Sequence, residues 1–293
     1  MRTLKELIPY TKIKNFTLEY ANRLSRHNKV CSNYEQHALA KQWRAREISK
    51  YEDSNHLIEP NHQVVYCEMQ KCASSNWRNT ISMLQSINKN SPNKTAWEYT
   101  KENDRTKRDT NWKTLSLENN PERFPDNTMQ EVLNNGTYFR FIFVRDPMTR
   151  LLSAYRSKIE RYHDWGPQIK LRNFRIFVEN IIKKTSIHAT TRLNKHWRPM
   201  TDLCFTCLHD WDFIGKLETL LPDSEYVMLK AGVQGKHHAG SKSSALTDRS
   251  KLEHYFKMIN QTTFLKLYQV YQKDYELFGY GVKKWLWNVL QKG

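Results

Sequence analysis

Long hydrophobic runs are missing from this chain. No stretch approaches the roughly eighteen apolar residues that a membrane span requires, and no apolar signal core follows Met1. Both common nucleotide-loop signatures are missing too. Without G-x-x-x-x-G-K-[ST] an ordinary ATP or GTP loop is unsupported, and without G-x-G-x-x-G so is a dinucleotide fingerprint. No internal repeat or low-complexity tract stands out. Acidic residues are scarce: 30 Asp and Glu stand against 47 Lys and Arg, a formal net charge of +17. Such an excess implies a polyanionic partner, which charge alone leaves open among nucleic acid, anionic membrane and acidic polysaccharide. Aromatic residues are plentiful (12%), so the chain is globular and no disordered basic tail. Its 293 residues suffice for one large α/β domain or two small ones.

The most informative stretch runs from Tyr138 to Lys158. Phe139, Phe141 and Phe143 alternate with Arg140 and Ile142 and lead into Val144, the composition of a buried strand. The run stops at Arg145-Asp146-Pro147, where the carboxylate suits a helix cap and the proline fits the first helical position. Leu151, Leu152, Tyr155 and Ile159 then give a helical apolar face. A strand thus delivers an arginine to a helix N-terminus, a natural anion site, with Ser153 and Arg156 further along the helix. A second unit repeats the plan. Residues 62–67 read as a short strand, residues 71–78 as a small-residue loop holding Lys71, Ser74, Ser75 and Arg78, and Ile81, Met83, Leu84 and Ile87 as a helix. Two anion cradles, each following a strand, predict one ligand with two separated phosphate groups.

Lys71 to Arg78 together with Arg145-Asp146-Pro147 and Arg150-Leu151-Leu152-Ser153-Ala154-Tyr155-Arg156 resembles the Golgi carbohydrate sulfotransferases, in particular the chondroitin/dermatan 4-O- and HNK-1 group. Residues 196–199, 203–207, 212–219 and 267–280 are similar to that family in the same order, so the resemblance covers roughly residues 64–280. It implies a single P-loop-like α/β sulfotransferase domain, with a central mostly parallel sheet flanked by helices, over residues 61–293, preceded by a basic, helical segment over 1–60. It also implies the donor 3′-phosphoadenosine 5′-phosphosulfate (PAPS). The family's first loop, P-K-x-A-C-T-N-W-K, is associated with the 5′-phosphosulfate. This carries over to Lys71, Cys72, Ala73, Ser74, Ser75, Asn76, Trp77 and Arg78. Its second loop, associated with the 3′-phosphate, carries over to Arg145, Asp146, Ser153 and Arg156. Among the departures from the pattern, Gln70 replaces Pro, Ser74 replaces Cys, and Arg78 replaces the usual Lys. The first restores an N–H and flexibility, and the last keeps charge while changing donor geometry.

The implied reaction moves a sulfuryl group to a sugar hydroxyl of a chondroitin-type glycosaminoglycan or a glycoprotein glycan. Lys71 is expected to neutralise the leaving oxygen, and His196 to accept the acceptor's proton, with Glu68 as an alternative base. No metal and no nucleic-acid partner are expected; a glycan or nucleotide binder of the same fold without turnover is the other reading. Relatives are Golgi membrane proteins with a lumenal catalytic domain, so the anchor is expected to be absent from this chain through truncation. Four sequons, at Asn15, Asn93, Asn135 and Asn260, fit a lumenal location.

Five cysteines leave an odd thiol. In an oxidising lumen, Cys204 and Cys207 are expected to form a local disulfide or to enter separate bridges. Their C-x-x-C spacing near His196 and His209 leaves zinc as the other option. Residues 34–49 and 172–184 read as helices, 212–218 and 226–230 as strands, and 251–277 as one long helix. Residues 88–135 read as surface helices and loops, and 232–244 as a basic loop in which Lys236 and Lys242 are candidates to cover a nucleotide.

Overall fold

The computed structural model describes residues 10–33, 55–86, 136–161, 172–187, 190–204, 206–207, 210–233 and 248–291. The readings on residues 34–49 and 88–135, and on His209, Lys236 and Lys242, lie outside the described residues. The elements in order are helix α1 (Tyr10–Asn33), strands β1 (His56–Glu59) and β2 (Val64–Cys67), helix α2 (Ser74–Ser86), strand β3 (Phe139–Val144), helix α3 (Pro147–Tyr155) and helix α4 (Phe174–Ile187). Strand β4 (Phe213–Lys216), α5 (Leu220–Lys230), α6 (Arg249–Phe256), α7 (Gln261–Phe278) and α8 (Lys284–Leu290) complete them.

The sheet order is β1-β2-β3-β4. β1 pairs antiparallel with β2, while β2, β3 and β4 run parallel. The fold is therefore α/β with a mostly parallel sheet flanked by helices, as the resemblance implied. The register sets Tyr66 opposite Phe141 and Phe141 opposite Phe213, so one face carries a row of rings. Trp77 of α2 caps this row, its ring 4.8 Å from that of Phe141 and 4.7 Å from that of Phe143. On the other face Arg140 grips Asp212 with two side-chain donors, at 2.8 and 3.2 Å, fixing the start of the β3–β4 pairing. A second apolar cluster, built by α3, α4, α6, α7 and α8, packs Tyr155, Phe174, Phe177, Phe256, Phe264 and Tyr271.

Phe143 lies opposite Gly215, and a Cβ built there would stand 2.5 Å from the Phe143 ring. That ring is held by Trp77 and cannot swing away. Gly215→Ala is therefore expected to cost about 1–3 kcal/mol by overpacking, read as a lower midpoint in chemical denaturation with an unchanged slope.

Three expectations are corrected. Residues 226–230 form the last turns of α5 and not a strand. The apolar run Tyr226-Val227-Met228-Leu229 is too short to tell the two apart. The buried set Asp223, Ser224, Val227 and Met228 follows helical spacing. The long helix over 251–277 is two helices, because Asn260 caps a new one by accepting from the Thr263 amide at 2.9 Å. The cysteines make no local bridge: Cys31 pairs with Cys207, Cys67 with Cys204, and Cys72 is the buried free thiol. Separate bridges were the other half of the disulfide expectation. They also occupy both sulfurs that a zinc site around Cys204 and Cys207 required.

Candidate active site

Because β2, β3 and β4 are parallel neighbours, their carboxyl ends share one edge of the sheet, the usual place for a ligand in such folds. Each end releases a short loop. After β2 the chain passes Glu68, Met69 and Gln70 before Lys71 and Ala73, both with positive φ (70° and 64°), and enters α2 at Ser74. Left-handed backbone at non-glycine residues is uncommon and strained, and it clusters at ligand clamps. Here it turns the loop into a concavity ahead of the free amides of the first turn of α2, over Ser74, Ser75 and Asn76. After β3, Arg145 and Asp146 lead into α3. The Asp146 carboxylate accepts from the Thr149 amide at 2.9 Å, with Pro147 in the first turn, as the sequence predicts. After β4 come Leu217 and Glu218.

These three loops touch. Arg145, 2% exposed, donates to the Lys71 carbonyl at 3.2 Å. The Asp146 amide donates to Glu218 at 3.0 Å, and Glu218 also accepts from the Tyr280 hydroxyl at 2.8 Å. The two basic turns read from the sequence thus sit side by side. The Lys71 ammonium donates to the Ser157 hydroxyl at 2.8 Å. Ser157 belongs to a single π-helical turn, Arg156–Glu160, that extends α3; such turns are frequent at functional sites.

The other predicted residues are placed as follows. Arg78, on α2, forms an ion pair with Glu68 at 2.8 Å, so the alternative base is engaged with a cation. Arg156 lies 3.5 Å from Glu160. Ser153 is half-buried on α3. Ser74 is buried and donates to the Gln70 side chain at 3.5 Å. Cys72 is buried with its thiol 3.8 Å from the Met200 sulfur, and burial pushes that thiol up to about 11. Trp77 is fully enclosed in the core beneath the loop. His196 lies within electrostatic reach of Lys71, Lys158, Lys195 and Arg150. Its Nδ1 is buried with no hydrogen-bond partner among the described residues.

The electrostatics follow from crowding of like charge. Desolvation first, then Lys158, Arg145, Arg150 and Arg161, bring the Lys71 ammonium down to about 8. Desolvation first, then Lys158, Lys71, Lys195 and Arg150, hold the His196 imidazole down at about 3, so it is neutral at physiological pH. A site this rich in cations is built for an anion, whose arrival lifts both values. If the Lys71 ammonium is required, kcat/KM falls as pH rises through about 8, because the deprotonated amine no longer supplies charge. The corresponding limb of kcat lies at higher pH, since the bound anion stabilises the ammonium. A pH–rate profile with saturating and limiting donor checks both.

Sequence reading did not single out Arg150, Ser157, Lys158 or Glu218 as site residues. Arg150 stood inside the quoted second motif, and Glu218 inside the similar stretch 212–219. Ser157 and Lys158 carry no separate signal, since only the fold brings the turn after α3 against the first loop.

The family model described as "Sulfotransferase family" matches residues 54–281. Among curated proteins, rat carbohydrate sulfotransferase 11 is 29% identical over 269 residues, covering 83% of this chain and 72% of that protein. Mouse carbohydrate sulfotransferase 12 is 29% identical over 266 residues, covering 80% and 62%. Human carbohydrate sulfotransferase 9 is 27% identical over 252 residues, covering 76% and 52%. No solved structure matches. Among the described residues no helix is long and apolar enough to cross a membrane. The resemblance read from the two loops therefore holds across most of the chain, and the protein belongs to the sulfotransferase family as a relative of its carbohydrate sulfotransferases.

Proposed function

We propose that the protein transfers a sulfuryl group from PAPS to a hydroxyl of a glycosaminoglycan-like, chondroitin-type or glycoprotein glycan in the Golgi lumen. The observation that carries this reading is the junction of the two basic turns, Arg145 donating to the Lys71 carbonyl at the shared carboxyl edge of β2 and β3. The donor supplies the sulfuryl group and a nucleotide leaving group. The chain contributes the rest. The amides and hydroxyls at the start of α2, with Lys71 and Arg78, suit the 5′-phosphosulfate; Arg145, Ser153 and Arg156 suit the 3′-phosphate.

In the transfer, the acceptor oxygen forms a bond to sulfur as the bond from sulfur to the 5′-phosphate oxygen breaks. Lys71 meets the charge that builds on that oxygen, and the acceptor proton passes to the neutral imidazole of His196. An imidazole held down at about 3 is a weak base in the free protein. Its acidity comes partly from Lys158, Lys71, Lys195 and Arg150, whose charge a bound donor offsets, so the base strengthens in the complex where it is used. Two disulfides with sequence separations of 176 and 137 fit an oxidising lumen.

Incubation with sulfur-labelled PAPS and a panel of desulfated glycans tests the reading. Incorporation by wild type into at least one glycan, lost in Arg145→Ala, supports it. Donor binding without incorporation into any glycan would show the binding protein without turnover instead. The weak imidazole and the Glu68–Arg78 pair are the features that favour that second reading.

A further inference from the structure

We propose that Arg150 is a positioning residue that ties the donor loop to the His196 segment, setting the geometry between the Lys71 ammonium and the imidazole. This rests on the roles assigned above to those two residues. Arg150 is 1% exposed, among the most buried side chains of the molecule, and it touches no outer surface of the site. Its guanidinium is spent on three backbone carbonyls in two separate segments. Nε donates to Gln70 at 2.9 Å, Nη1 to Arg198 at 2.7 Å and Nη2 to Lys195 at 3.2 Å. The first carbonyl immediately precedes Lys71; the other two flank His196. The Cys67–Cys204 disulfide already ties the bases of these two loops, and this planar fork sets their spacing next to Lys71 and His196, across more than a hundred residues of chain.

His196 depends on such anchoring. Its ring nitrogen Nδ1 is buried with no partner among the described residues, and its backbone amide donates to the Asn194 side-chain oxygen at 3.0 Å. The imidazole's place is thus inherited from the backbone around it. That backbone is also held by α7, where the Tyr271 hydroxyl donates to the Trp197 carbonyl at 2.5 Å. The buried Asp274 carboxylate accepts from the Met200 and Thr201 amides, each at 2.9 Å. Carbonyls 195, 197 and 198 and amides 200 and 201 are all gripped by buried side chains, and of these grips the Arg150 one reaches a backbone carbonyl of the donor loop, beside the Cys72–Met200 contact. A lysine cannot replace it, because a point-charge head does not span three carbonyls in fixed directions.

The test compares wild type with Arg150→Lys, Arg150→Met and Tyr271→Phe by amide hydrogen exchange and by kinetics. In both Arg150 variants, exchange speeds up in residues 68–73 and 194–202 together, while α4 stays at the wild-type rate. In Tyr271→Phe it speeds up in 194–202 alone. In sulfate transfer, Arg150→Lys loses about 100-fold in kcat, the scale of an ångström-level misplacement, with the donor KM within about threefold. Exchange that rises uniformly, or in one segment only, overturns the proposal, as does an Arg150→Lys protein with wild-type kcat. A wild type that transfers no sulfate, with Arg150 variants that still show the paired loosening, removes the functional reading and leaves the tie between the loops standing.

Discussion

Lys71→Ala lowers kcat by about 10²–10³-fold while leaving affinity for the donor nucleotide within a few fold. The expectation follows from where the ammonium stands. Its backbone sits in the loop concavity, with its carbonyl held by Arg145, and the side chain reaches the π-helical turn to donate to Ser157 at 2.8 Å. Several neighbouring cations already attract the anion in the ground state, among them Lys158, Arg145, Arg150 and Arg161. Removing one of them costs modest binding. Charge on the leaving oxygen, in contrast, develops only in the transition state, and a donor placed for it in a desolvated site is worth about 3–4 kcal/mol. Lys71→Arg keeps charge but replaces a compact head with a planar fork, so it recovers only part of the loss. Arg145→Ala is expected to behave differently, since the proposed role of its guanidinium is to hold the 3′-phosphate in the ground state: the loss falls mainly on donor KM and on nucleotide affinity. Steady-state transfer of labelled sulfate and calorimetric titration with 3′,5′-adenosine bisphosphate separate the two. A Lys71→Ala protein that loses nucleotide binding and turnover in proportion would reassign Lys71 to simple anion holding.

The donor-side half of this site was legible because its signals are local. An aromatic run ending at Arg-Asp-Pro specifies strand, cap and helix start within ten residues, and Asp146 caps α3 as read. The parallel pairing of β2 with β3 then follows from two successive strand–loop–helix units, and with it the meeting of Lys71 and Arg145. The remainder was hidden because its partners are distant. Ser157 matters through a loop 86 residues away, and Arg150 through carbonyls 80, 48 and 45 residues away. The cysteine pairing had the same difficulty, since five cysteines fix no connectivity and the C-x-x-C spacing drew attention to a local bridge that does not form. A helical segment was expected within residues 1–60, but the bounds and packing face of helix α1 were not legible, for another reason. Its buried stripe, Tyr20, Arg23, His27 and Cys31, keeps helical spacing but is half polar, so no apolar period announced it.

That stripe makes the second strong prediction: Asp223→Ala destabilises the protein by about 3–5 kcal/mol, although Asp223 touches no candidate catalytic group. Asp223 is fully buried in the first turn of α5 and accepts three hydrogen bonds through Oδ2. They come from Arg23 at 2.7 Å, from the Lys216 amide at 2.7 Å and from the Thr219 hydroxyl at 2.8 Å. Arg23 also donates to the Ile214 carbonyl at 3.1 Å, so one ion pair fastens α1 to the last residues of β4. Deleting the carboxylate leaves a nearly enclosed guanidinium with the half-exposed Glu19, 3.0 Å from Nε, as its remaining charge partner, and strips the Lys216 amide of its acceptor, which together cost more than the pair itself contributes. Replacing both members by apolar side chains, Arg23→Met with Asp223→Leu, is therefore expected to cost less than the single change. Chemical denaturation with the disulfides intact measures the difference, and a single variant within 1 kcal/mol of wild type would remove the argument. The effect propagates to chemistry, since the β4 end that Asp223 anchors carries Glu218, whose carboxylate holds the Asp146 amide at the mouth of α3. Helix α1 lies outside the matched residues 54–281, yet it supplies Arg23 and one half of the Cys31–Cys207 bridge. A protein begun at residue 54 loses both anchors at once. It is expected to fold less stably than any of the point variants, with the β4 edge of the site loosened first.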